Sequence, residues 1–172
     1  MENILDSGTR RDFGTGAVRD MAEGKGRMDL LPWDVLAYWF AKNLAWEEKK
    51  SEWCRWFLDD IHCAIKRVYT TEHIQDAITM FTNLAFDGNY LTAILEYAKH
   101  MEAGCLKYGD RNWENGIPVD VYLDSALRHF IKHVRGDDDE RHDRAVLWNL
   151  WCCLWTIKHK PEMIDAPVGG AT

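Results

Sequence analysis

Residues 102–118 read EAGCLKYGDRNWENGIP, a short stretch that sets acid, base, amide and aromatic side chains side by side. Gly109 closes the apolar pattern that precedes it, and Gly116 with Pro118 announces the pattern that follows, so the stretch reads as a joint between two helices. Loops held by rigid helices are common seats for chemistry. Upstream, residues 90–107 place Leu91, Ile94, Leu95, Ala98, Met101 and Cys105 at helical spacing. At 100° per residue Glu102 falls near the centre of that stripe. This predicts a carboxylate aimed into the bundle, where it must be paired, protonated or metal-bound, with Glu96 and His100 on the solvent side.

Downstream, residues 118–135 carry Leu123, Leu127, Phe130 and Val134 on one line, with Asp124 beside it, Arg128 one step further out, and Gly136 to end the helix. Residues 139–159 carry two stripes: Val146, Leu150, Cys153 and Ile157, which Asp143 continues, and Trp148, Trp151 and Trp155 on another face. A helix apolar on two sides must be covered on two sides, so the tryptophan face is expected to meet the helices at 47–68 and 72–86 or another subunit. Amphipathic helices are also predicted at 32–44, through Trp33, Leu36, Ala37, Phe40 and Leu44, and at 47–68 and 72–86. Period-two alternation never extends convincingly. The expected fold is all-α, a bundle of about six helices. Residues 1–31, glycine-rich and polar, read as an irregular arm; 32–160 form the bundle and 161–172 a tail. Within the arm, Lys25 and Arg27 stand just ahead of a helix start, where cations beside glycine backbone clasp phosphate, although the spacing is not that of a P-loop.

The 172 residues, 47% hydrophobic and 28% charged, fit one globular domain. Nine tryptophans call for a large aromatic core or a subunit interface. A net charge of −7 argues against sequence-independent binding to a nucleic-acid backbone. No apolar run reaches the roughly 18 residues of a membrane span and no secretory h-region opens the chain, which points to the cytosol. Five cysteines without a CxxC pair read as reduced core residues.

The acids expected to face inward are Glu102, Asp124, Glu140 and Asp143, with Asp139 near them. Facing carboxylates repel one another unless hard divalent cations lie between them, and an oxygen-rich set selects Mg2+ or Mn2+. Ringed by Lys25, Arg27, Lys107, Arg111 and Arg128, such a cluster suits a polyphosphate. Trp113 and Asn112 are then placed to stack on a base and hydrogen-bond to it.

The segments TGAVRDMAEGKGRMDLLP, EAGCLKYGDRNWENGIP, LDSALRHFIKH and DERHDRAVLWNL, in that order, resemble the phage and bacterial dATP/dGTP diphosphohydrolase family, which is similar to the MazG-like all-α nucleoside triphosphate pyrophosphohydrolases. Within the group the chain looks most like the phage MazZ type, and residues 41–90 look like an insertion. The resemblance implies conversion of dGTP, with GTP or dATP as further substrates, to the monophosphate and pyrophosphate in modified-purine metabolism. It also implies attack by water at a metal site; a homo-oligomer, dimer or tetramer, is expected from the excess of tryptophan alone. MazG-like enzymes carry EExxE on one helix and ExxD on the next. Here Glu140-x-x-Asp143 reproduces ExxD and Glu102 stands alone, which makes Glu102, Glu140 and Asp143 the expected catalytic residues and Asp124 a replacement ligand. Two alternatives remain. One is an HD-type triphosphohydrolase using His142-Asp143 and His129, and the other is a non-enzymatic interaction protein using the tryptophan face.

Overall fold

The computed structural model describes residues 10–20, 31, 36, 48–68 and 70–166. The helix expected at 32–44 falls outside the described residues apart from Leu36. Five helices follow in order: α1 (Glu48–Ile65), α2 (Thr70–Phe86), α3 (Tyr90–Tyr108), α4 (Val119–Arg135) and α5 (His142–His159). The all-α expectation holds. A short ribbon, β1 (Arg10–Asp12) paired antiparallel with β2 (Val18–Asp20), corrects the irregular-arm reading for this part of the arm. Gly14 and Gly16 supply the positive φ of 72° and 88° that its turn needs, and Asp12 Oδ1 accepts from the Gly14 N–H at 2.6 Å. Three-residue strands without apolar alternation leave little trace in a sequence.

Two antiparallel helix pairs, α1 with α2 and α4 with α5, make the body, and α3 lies against α5. Phe57 of α1 and Phe130 of α4 stack at 4.3 Å, and Phe81 of α2 meets them at 5.7 and 6.1 Å, so this aromatic cluster locks the two pairs together. Residues 121–127 of α4 are buried all round. All five cysteines are free, and burial pushes the Cys54 and Cys152 thiols up to about 12, as expected of reduced core residues. Among the described residues no helix is long and apolar enough to cross a membrane.

α3 is turned differently from expectation. Asn89 caps it by accepting from the Thr92 N–H at 3.0 Å. Leu91, Ile94, Leu95 and Leu106 are exposed, and the buried or half-buried face is Ala93, Tyr97, His100, Met101, Gly104 and Tyr108. Glu96 holds this rotation: it accepts from Arg144 Nε of α5 at 2.5 Å and is far from solvated. Two of the three tryptophans of the α5 stripe find ring partners on α3, α4 and the 112–115 turn. Trp148 lies against His100 of α3 and Tyr122 of α4, and Trp155 meets Trp113 edge-on at 4.8 Å, while Trp151 remains 39% exposed.

Candidate functional site

Gly136, at φ 83°, ends α4 with its N–H on the His133 carbonyl, and the acidic residues 137–140 carry the chain to α5. Because α5 runs back antiparallel to α4, His129 and His142 face each other across the pair, with Nδ1 atoms 3.0 Å apart. Glu140 Oε1 lies 3.2 Å from His129 Nδ1 and 3.5 Å from His142 Nδ1. On the far side of the buried His142 ring, Nε2 donates to Asp139 Oδ1 at 2.7 Å, and Asp139 Oδ2 accepts from Lys132 Nζ at 2.8 Å. A carboxylate only accepts, so the His142 proton resides on Nε2 and the Nδ1 lone pair faces Glu140 and His129. This is the carboxylate–histidine arrangement that orients metal ligands.

The electrostatics agree with that assignment. Lys132, and after it His142, hold the Asp139 carboxyl at about 2. Burial raises Glu140. Burial, then the neighbouring His142 and Arg19, push His129 well below its usual value. With one proton between them, His129 Nδ1 donates toward the His142 Nδ1 lone pair and the Glu140 carboxylate, and a cation entering the group would take the place of that proton. The ligand atoms of His129, Glu140 and His142 lie within 4.8 Å of one another, and Asp137, Asp139 and His142 form a second such group.

His129 and Glu140 form one wall of an open cavity whose other walls include Arg19, His100, Tyr108, Trp113, Trp148 and Asn149. Arg19 arrives on β2. The ribbon is held by the 112–116 turn: the Asn112 amide donates to the Val18 carbonyl and accepts from the Val18 N–H, both at 3.1 Å, and Thr15 Oγ1 donates to the Gly116 carbonyl at 2.6 Å. Asn112 thus acts as a further peptide unit beside the ribbon. Burial lowers the pKa of the Arg19 guanidinium. His100, read from sequence as solvated, is pushed down to about 4 by burial and by the charges of Arg19 and Arg144.

The acids predicted from sequence are therefore spread apart. Glu102 shares the exposed side of α3 with Leu95 and Leu106, which corrects its expected inward orientation; the physical reason is the Glu96–Arg144 contact that turns the helix. Asp143 is buried, but Arg141 Nε donates to it at 2.9 Å. Burial would raise its pKa, and the Arg141 bond and charge outweigh that and keep it low. Asp124 accepts from Arg128, so these two neutralise each other. Of the four acids, Glu140 is the one within the His129–His142 group, and it gets there because α5 starts at His142 and leaves Glu140 in the loop, free to turn back.

Among the expected phosphate contacts, Arg111 is exposed and donates to Glu114 at 2.9 Å. Lys107 lies over the Tyr108 ring at 5.1 Å, near enough for its charge to act on Glu140. Lys25 and Arg27 lie outside the described residues. Trp113, expected at a base, lines the cavity, whereas the Asn112 amide is bonded to Val18. Sequence reading gave no site role to Arg19, Tyr108 or Trp148. The E-x-H spacing of Glu140 and His142, 13 residues after His129, was the available signal for the ligand group.

A family model described as dATP/dGTP diphosphohydrolase, N-terminal, matches residues 79–166, a span that runs from within α2 to beyond α5 and contains the whole His129–Glu140–His142 group. No curated protein and no solved structure matches the chain.

Proposed function

The chain belongs to the dATP/dGTP diphosphohydrolase family, and from this we propose that it hydrolyses a purine deoxynucleoside triphosphate, dGTP foremost and dATP or GTP besides, to the monophosphate and pyrophosphate. The observation that carries the reading is the convergence of His129, Glu140 and the buried His142, the first two of which line the cavity. Two imidazole nitrogens and one carboxylate suit Mn2+ or Zn2+ better than Mg2+, which favours oxygen ligands. A divalent ion bound there supplies Lewis-acid charge to the phosphates and a more acidic water. The chain's own groups complete the site. Asp139 fixes the His142 tautomer. Glu140 supplies the carboxylate of the ligand set, whose negative charge would offset that of the ion. The faces of Trp113, Trp148 and Tyr108 offer stacking surface for a purine. The resemblance to phage enzymes supports a role in modified-purine nucleotide metabolism.

The HD-type reading would also use His129 and His142, but it needs Asp143, and the bonds of that carboxylate go to Arg141. Product analysis separates the two. Incubation with each common dNTP and rNTP, in Mn2+, Zn2+ or Mg2+, is expected to yield dGMP and pyrophosphate from dGTP. Inorganic triphosphate with free nucleoside would point to the HD-type reaction, and no turnover of any nucleotide to a binding protein.

The oligomer we propose uses α3 rather than the tryptophan face. Leu91, Ile94, Leu95 and Leu106 are 55–77% exposed along one side of a 19-residue helix, and Ala98 lies near the midpoint of that row. A two-fold antiparallel approach centred there sets Leu91 of one protomer against Leu106 of its partner, so the face complements itself. Sedimentation should show a dimer.

A further inference from the structure

We infer that Arg19, delivered by the N-terminal ribbon, is a phosphate-binding residue of the cavity, recognising the polyphosphate of the nucleotide that the proposed reaction cleaves. The inference rests on that reading for the identity of the ligand but on separate observations for the site. Arg67, Arg111, Arg128, Arg135, Arg141 and Arg144 each hold a carboxylate. Arg19 holds none among the described residues. Its Nη1 donates to Asn149 Oδ1 and its Nη2 to Ser125 Oγ, both at 3.2 Å, and its guanidinium lies 5.1 Å from the Trp148 ring centre and 5.9 Å from that of Tyr122. All four partners are neutral, so they orient the cation without neutralising it.

A guanidinium carries five N–H donors in a planar fork that matches the oxygens of a phosphate. Two are used by Asn149 and Ser125, which leaves donors for a ligand in the cavity that Arg19 lines. A cation taken out of water without a counter-charge is costly unless an anion arrives to pair with it. His129 and Glu140 line the same cavity. A polyphosphate therefore meets the ligand group and a fixed cation within one cavity, the arrangement that a doubly anchored anion requires. The bonds that tie the ribbon to Asn112 and Gly116 acquire a purpose in this light, since they fix the backbone that carries Arg19.

The test uses the full chain and inorganic pyrophosphate as probe, with binding read by titration calorimetry in the presence of Mn2+ and folding read by thermal melting. Arg19→Met is expected to weaken pyrophosphate binding by about tenfold or more, because a charge-assisted fork is lost, and to leave the melting temperature unchanged or raise it, because a half-buried cation with no carboxylate partner among the described residues has gone. Arg19→Lys, which keeps the charge and loses the fork, should fall between them and carries the test if the methionine variant does not fold. Undiminished pyrophosphate affinity in both variants, or no binding by the wild type, overturns the inference; so does a fall in melting temperature with unchanged affinity, the mark of a purely structural arginine. Turnover is read separately. Arg19-dependent pyrophosphate binding in a protein that hydrolyses no nucleotide would uphold this site and remove the enzymatic reading. Hydrolysis of dGTP with KM, kcat and pyrophosphate affinity untouched by Arg19→Met would do the reverse.

Discussion

In α4, Leu123, Leu127 and Phe130 have no exposed surface, whereas in α3, Leu91 is 77% and Leu95 64% exposed. Both helices carry an unbroken apolar stripe. α4 turns its stripe onto the aromatic cluster of α1 and α2, and α3 turns its stripe away and gives its inner side to His100, Gly104 and Tyr108, which line the cavity. Helical periodicity thus locates an apolar face but leaves open whether the cover lies in the same chain. Where a helix also builds a site, a polar contact such as Glu96 with Arg144 can set its rotation.

The contrast can be broken most forcefully by truncation. Leu127→Ala in α4 should cost about 2–5 kcal/mol in urea unfolding, while Leu95→Ala in α3, measured at a concentration where the protein is monomeric, should stay within about 0.5 kcal/mol. Equal costs would mean that the α3 face is covered within the chain. Next in size is Asn112→Ala, which strips two hydrogen bonds from Val18 and should cost about 1–3 kcal/mol, seen as faster proteolysis around residues 10–20 and a rise in KM; an unchanged cleavage pattern would deny the ribbon its anchor. Leu95→Lys should convert a dimer into a monomer with the same helical circular dichroism, and a wild type that sediments as a monomer at every concentration would remove the proposed pairing. A further effect, confined to acid pH, concerns His100. His100 titrates near 6.5 unfolded and about 4 folded, so between these values the unfolded chain binds the proton first, and stability should fall as pH drops through that window. His100→Gln should flatten that part of the stability curve; an unaltered slope would contradict the buried, neutral ring.

The parts legible in the sequence were those governed by local periodicity. The faces of α4 and the first stripe of α5 were readable because Leu123, Leu127, Phe130, Val146, Leu150 and Cys153 lie a turn apart and are all buried. The ribbon was not readable, since its pairing is short and its anchors on Asn112 and Gly116 are about a hundred residues away in sequence. Glu140 was legible as a site residue, but its partners were not assigned to it. The approach of His129 to His142 depends on the register between two helices, and the start of α5 at His142, three residues later than predicted, decides which way Glu140 turns. Glu102 and Glu96 exchanged roles for one reason: α3 is oriented by a charged contact that no count of apolar residues contains.

Glu102 and Glu140 provide the most direct test. Manganese-dependent release of pyrophosphate from dGTP should be measured for Glu140→Gln and Glu102→Gln alongside the wild type, with helical content checked in each. If His129, Glu140 and His142 form the reaction centre, Glu140→Gln lowers kcat by about a hundredfold or more while Glu102→Gln stays within about twofold. Loss of activity in Glu102→Gln with Glu140→Gln still active would contradict the account and return the site to the outer face of α3.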